Sequence, residues 1–213
     1  MKKLIIMNGC GGSGKDTFVK LCRENSSLKI NKFSIIDFVK EQATLLGWSG
    51  GKTDADRKFL SDLNDALTDW NDSPFQVALT EIKEDFSEEW GETYDVVFLD
   101  IRDPDVIDRV KEAAEQEGIQ VSTVLVERNL NHTYGNHADD NVHNYLYDYV
   151  IDNTGTLKDL EDAALTFMEN LERTGTLKDL EDATLTFAKN LDKTETIKNF
   201  GDTVLTFMEN FDD

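Results

Sequence analysis

The chain has 213 residues, 39% hydrophobic and 31% charged, which is enough for one domain with a core and a modest extension. Its 43 acidic against 22 basic residues give a formal net charge of −21. A negative field of that size argues against sequence-independent binding to nucleic acid or to an anionic membrane, both of which need clustered Lys and Arg.

The first apolar run, residues 4–8 (LIIMN), reads as a short strand ending at a glycine-rich turn. It is far shorter than the ~7–15 apolar residues of a secretory signal core. No run in the chain approaches the ~18–20 residues of a membrane span. Residues 15–24 follow as a helix, and residues 32–36 as a second strand. Helical patterns cover residues 37–46, 55–70 and 74–86. A third strand, 95–100 (DVVFLD), a helix over 104–116, and strands at 120–127 (QVSTVLVE) and 147–152 (YDYVID) complete the series. The two prolines, Pro74 and Pro104, both stand where a helix should begin. Repeated strand–helix alternation predicts an α/β fold: a five-stranded parallel sheet flanked by helices, with right-handed crossovers. Cys10 and Cys22 form neither a disulfide framework nor a zinc cluster, so the expected setting is the reducing cytoplasm. Trp48, Trp70 and Trp90 read as packing residues rather than base-stacking platforms.

The last 60 residues are three near-copies of one unit: TGTLKDLEDAALTFMENLER from Thr154, TGTLKDLEDATLTFAKNLDK from Thr174 and TETIKNFGDTVLTFMENFDD from Thr194. Each reads as one helix, with Thr156, Thr176 and Thr196 as N-caps and Asp159, Asp179 and Asn199 three residues on. In the first copy Leu157, Leu160, Ala164, Phe167, Met168 and Leu171 make one apolar stripe. That copy is expected to close the domain, 1–173. Residues 174–213 then form a helical extension. Its two units are expected to make an antiparallel pair, packed on the domain body or on the same pair of a second subunit in a homodimer.

The chemistry sits in Gly9-Cys10-Gly11-Gly12-Ser13-Gly14-Lys15-Asp16-Thr17, which follows the first strand and opens the first helix. This fits G-x-x-x-x-G-K, the phosphate-binding P-loop. Glycines at Gly9, Gly11, Gly12 and Gly14 let the backbone fold so that N–H groups converge on phosphate oxygens. The helix N-terminus adds partial positive charge. Lys15, at the loop end, reaches the β- and γ-phosphates. Asp16 stands where a hydroxyl usually helps hold Mg²⁺, and Thr17 comes one place later. Thr17 is therefore the candidate metal hydroxyl, directly or through water. Asp100, ending the apolar run VVFLD, is the second metal candidate; the alternative is a polar residue at a strand edge.

The Gly-Lys-Asp-Thr form of the loop resembles phage-type deoxynucleoside monophosphate kinases and animal-type phosphomevalonate kinases. Phe33-Ser34, Lys40-Glu41 and Leu46-Gly47-Trp48 resemble the segment these kinases place after strand two. Arg57-Lys58, with Leu60 and Leu63, resembles their arginine-bearing helix, and Asp100-Ile101-Arg102 their Asp-x-Arg after strand three. Arg128 stands where the family carries a phosphate-contacting arginine. His137-Ala138-Asp139-Asp140 lies roughly where many members have His-x-Ser-Glu. Residues 151–157 look like the closing Ile-x-Asn-x-Gly-x-Leu, which makes Asn153 a nucleotide-site residue by resemblance. The likeness covers about residues 1–172. It implies a P-loop NTPase fold, ATP and Mg²⁺ as cofactors, and a small phosphorylated acceptor such as a nucleoside monophosphate. Two departures stand out. The stretch from Asp69 to Pro74 lacks the family's further arginine, and residues 129–144, the lid, hold no Lys or Arg.

Arg102, Arg128 and Arg57 are thus candidate phosphate contacts, with surface ion pairs as the alternative. Asp37 reads either as a helix N-cap or as a base orienting the acceptor hydroxyl. The sequence leaves open an NTPase acting on a protein partner and two further functions. One is an ATP-dependent phosphotransferase acting on a small phosphorylated acceptor. The other is a nucleotide-binding protein with little transfer activity, its helical tail serving assembly.

Overall fold

The computed structural model describes residues 2–128 and 142–173. The second and third repeats, the dimer expected of them, and most of the arginine-free lid lie outside the described residues. Five strands, β1 Lys3–Asn8, β2 Ile30–Ser34, β3 Val96–Asp100, β4 Gln120–Glu127 and β5 Tyr149–Asp152, form one sheet in the order β2-β3-β1-β4-β5. Every pairing is parallel. Each neighbouring pair must therefore be joined by a crossover. Helices α1 Lys15–Glu24, α2 Ile36–Leu45, α3 Asp54–Asn71, α4 Ser73–Asp85 and α5 Pro104–Gln116 lie in the connections between β1, β2, β3 and β4, and α6, the helical residues 157–173, follows β5. The glycine-rich turn lies between the central strand β1 and α1.

Successive residues of β1 serve opposite faces. Leu4 and Ile6 join Phe33, Val97 and Leu99 in a core with Ala78 and Ile82 of α4 and Ile107, Val110 and Ala114 of α5. On the other face Ile5, Met7, Val96 and Phe98 are fully buried, as are Phe18 and Cys22 of α1. Burial pushes the Cys22 thiol up to about 12, so it is an inert core residue.

Helix ends follow local chemistry. Pro74 and Pro104 stand in the first turns of α4 and α5. Thr53 and Asp56 close a capping box on α3. Thr156 and Asp159 exchange the same bonds at the start of α6. Asp72, between α3 and α4, takes the left-handed region (φ 57) and pairs with Arg109, whose guanidinium lies over the Phe75 ring.

Two expectations are corrected. Strand β2 spans Ile30–Ser34, not 32–36, because the chain turns into α2 at Ile36. Trp70 is not a packing residue: 83% of its surface is exposed. By contacts the chain divides into two compact units, residues 1–166 and 167–213. Among the described residues no helix is long and apolar enough to cross a membrane.

Candidate functional site

Strand β1 delivers the chain to the loop at the carboxyl edge of the sheet, the edge at which open parallel α/β sheets bind ligands. Gly9 has φ 144, and a Cβ there would lie 2.4 Å from the Val126 carbonyl oxygen, so only glycine allows the loop to start this close to β4. Gly14 has φ 102 and serves as the N-cap of α1 without a side-chain cap. The amides of Lys15, Asp16 and Thr17, in the first turn, have no acceptor within the helix by geometry. An anion at the start of the helix would complete them.

Lys15 lies across the loop. Its ammonium donates to the carbonyl oxygens of Gly9 (2.6 Å) and Cys10 (3.3 Å). Burial lowers its pKa, opposed by Asp100 and reinforced by the neighbouring charges of Arg102 and Lys32. Three cations therefore share this edge. Arg102, half-buried one residue beyond Ile101, brings Nη2 to within 4.0 Å of where a Cβ on Gly11 would stand.

The third cation, Lys32, is a site residue that sequence reasoning missed. Its ammonium donates to Asp16 Oδ1 at 2.5 Å and to Asp100 Oδ2 at 2.7 Å. Burial works against its charge, but the hydrogen bonds and fields of Asp100 and Asp16 outweigh it and hold the pKa above the ordinary lysine value. Asp16 is held below the usual carboxylate range, chiefly by its hydrogen bond to Lys32. Burial pushes Asp100 the other way, against the pull of Lys32 and Lys15. The 2.7 Å separation is that of a charge-assisted bond between an ammonium and a carboxylate. The β2–β3 register accounts for the placement: Lys32 pairs with Phe98 and Ser34 with Asp100, so Lys32 shares the face of Asp100, opposite Phe33, a pairing that no local sequence signal announces.

A second missed residue is Asn8, which is fully buried. Its Nδ2 donates to the Arg102 carbonyl (3.0 Å) and to the Tyr147 hydroxyl (2.8 Å), while its Oδ1 accepts from the Gly9 amide (2.7 Å). Tyr147 in turn donates to the Val142 carbonyl at 2.8 Å. Burial pushes the Tyr147 phenol up to about 12. Asn8 thus ties the first loop residue to the turn that carries Arg102. Asn153 acts similarly from the end of β5: its Nδ2 donates to the Ser13 carbonyl at 2.8 Å and lies against Gly14. It reaches the loop as a brace on the backbone.

The remaining candidates sit apart. Asp37, in the first turn of α2, accepts from the Ser34 amide (2.8 Å) and from Lys40 (2.6 Å). It is not the N-cap, which is Ile35; its carboxylate reaches back to fasten the turn after β2. Arg57 is exposed on α3, and Arg128 is exposed just beyond β4. Thr17 is exposed in the first turn of α1.

The residues present fit a magnesium nucleotide. Two buried polar atoms, Ser13 Oγ and Asp100 Oδ1, have no hydrogen-bond partner in the protein, and both lie at the loop edge. Asp100 Oδ1 is a hard oxygen donor suited to Mg²⁺ or its water. Among the described residues no group of three or more His, Cys, Asp or Glu side chains surrounds a metal position. An ion here would therefore take most of its ligands from water and phosphate.

No family model and no curated protein matches the chain. Solved structures do. A tunicamycin resistance protein from Deinococcus radiodurans is 14% identical, covering 78% of this chain and 95% of its own, with a TM-score of 0.48. A gluconokinase from Sinorhizobium meliloti is 14% identical over 83% and 97%, with a TM-score of 0.46. A sugar kinase from Janibacter sp. is 15% identical over 79% and 95%, with a TM-score of 0.43. Similarity this low says nothing of the reaction.

Proposed function

We propose that the chain is an ATP-dependent phosphotransferase acting on a small phosphorylated acceptor of the nucleoside monophosphate class. The observation that carries this reading is the loop itself. A left-handed glycine N-cap, uncapped first-turn amides and the half-buried ammonium of Lys15 come together near Asp100, which ends β3, and Arg102, two residues beyond it. Phosphoryl transfer needs little covalent chemistry from the protein. It needs the donor positioned and its charge offset as the phosphoryl group moves. The loop amides and Lys15 would bind the donor phosphates. Arg102, with Arg128 and Arg57 from their own elements, would neutralise acceptor and transferring groups. Asp100 and Thr17 would hold Mg²⁺ or its waters, and the ion would supply charge compensation between the phosphates. The segment between Ser34 and Trp70, reaching from the end of β2 to α3, is the expected acceptor side.

The test is ADP release with ATP, Mg²⁺ and a panel of phosphorylated acceptors. Lys15→Ala should lower ATP affinity or turnover by on the order of 100-fold. Unchanged affinity and turnover in that variant would overturn the reading. One feature favours the alternative, a nucleotide binder with little transfer: residues 129–144 hold no Lys or Arg to close over the phosphoryl group. Tight ATP binding without ADP release across the panel would select it.

A further inference from the structure

Lys32 stands in the middle of β2, yet its side chain is only 16% exposed, and its ammonium lies between two carboxylates from different elements. Asp16 comes from the first turn of α1 and is 91% exposed, free to turn to water; it turns to Lys32 instead. Asp100 comes from the end of β3 and gives Lys32 one oxygen, leaving Oδ1 buried and unpartnered. Two carboxylates closing on one cation is how oxygen donors hold a divalent ion. Here the cation belongs to the chain.

We propose that Lys32 is a built-in cation that fills the gap between Asp16 and Asp100 and keeps free divalent ions out of it, so that the metal enters only with the nucleotide, at Asp100 Oδ1. The entry with nucleotide rests on the function proposed above; the exclusion of free ions does not. A free ion taking the gap must break two charge-assisted hydrogen bonds. It must also stand beside the charge of Lys32 and in the field of Lys15, whose ammonium lies on the same loop. Lys32 acts through the two acids, as a positioning residue. Its presence also accounts for an acid at position 16. Without a cation beside it, Asp16 would set a negative charge against the phosphates that the loop amides attract.

The test is a Mn²⁺ titration of the full chain without nucleotide, read by calorimetry or by the spin resonance of the free ion. Lys32→Met, and the milder Lys32→Gln that keeps a hydrogen-bonding group, should bind Mn²⁺ at least about tenfold more tightly than wild type, as expected for one unit charge removed at this range. Adding Asp16→Asn to either variant should abolish the gain. Lys32→Arg, which can still span both carboxylates, should keep the wild-type affinity. Lys29→Met removes the same charge from an exposed pair with Glu92 and should change nothing. The proposal is overturned if neither neutral variant gains affinity, if the gain survives Asp16→Asn, or if Lys29→Met matches it. ATP binding by the wild-type chain is measured separately. Its absence would refute the nucleotide reading and leave the Mn²⁺ comparison intact.

Discussion

Asn8 shows what one buried side chain does for a binding edge. It satisfies the Gly9 amide, the Arg102 carbonyl and the Tyr147 hydroxyl at once, without exposure to water. Asn8→Ala leaves those groups short of a partner and should cost on the order of 2–3 kcal/mol of stability by urea unfolding. Tyr147→Phe removes one hydroxyl from the same network and should cost less than half of that. A larger loss for Tyr147→Phe would show that the phenol's bonds to Asn8 and to the Val142 carbonyl, rather than the Asn8 amide, hold the turn. Arg102 makes the opposite case. It stands half-buried on the strand edge, so Arg102→Ala should lower turnover with little change in unfolding midpoint. A large loss of stability with turnover intact would make it structural. The loop was legible in the sequence because its chemistry is local: the glycines, Lys15 and the helix start are contiguous. Asn8 and Lys32 were not, because each acts on residues from distant strands. Nothing within ten residues of Lys32 reveals that Asp100 will lie 2.7 Å away.

The elements were legible where a local signal marked their ends. Helices α1 and α5 and strand β4 fall where periodicity, proline and glycine put them. β2 was misplaced because Ile35 and Ile36 prolong an apolar run. What stops the strand is Asp37 reaching back to the Ser34 amide, a bond that no propensity records. Strand order was not legible at all, since alternation says which face a residue serves and not which strand lies beside it. Helix α3 poses a different question, for none of its residues is buried. Its stability leans on the Thr53–Asp56 capping box and on the bond from Trp48 Nε1 to Asp56 Oδ1. Thr53→Ala should therefore speed hydrogen exchange in the first turns of α3 several-fold and barely move global unfolding. Equal loss at both levels would mean that α3 unfolds with the sheet. On α4, burial pushes Glu81 up to about 7, with Asp85, Asp37, Glu41 and Glu84 adding repulsion. The folded state then holds that proton more tightly than the unfolded chain does. Stability from this group is present below the unfolded carboxyl pKa and is lost as pH rises through about 7. Glu81→Gln should raise the urea midpoint at pH 8 and do little at pH 5; the reverse order would place the repulsion elsewhere.

At the scale of the molecule, charge imbalance decides how the protein answers to salt. Forty-three acids face 22 bases, so even complete pairing would leave a net charge of −21. Many of the ion pairs are exposed, as with Lys20–Glu24, Lys29–Glu92, Lys58–Asp62 and Lys83–Glu117, and such pairs contribute little. Screening them removes little attraction. The surplus of negative charge is different. It repels itself in the compact state over distances comparable to the Debye length, which shortens from about 30 Å at 0.01 M salt to about 8 Å near 0.15 M. The Asp16–Lys32–Asp100 bridge is the most enclosed of the charged contacts at the loop and should be screened least, since two of its three side chains are mostly buried. Repulsion therefore falls faster with salt than attraction does. The urea midpoint should rise as NaCl goes from about 0.01 to about 0.3 M, most steeply at the low end where the Debye length changes fastest. Below pH 5, where carboxylates begin to take up protons and the surplus shrinks, the same salt series should flatten. A midpoint that falls with salt at neutral pH would show that paired charges, rather than the excess of acids, set the balance.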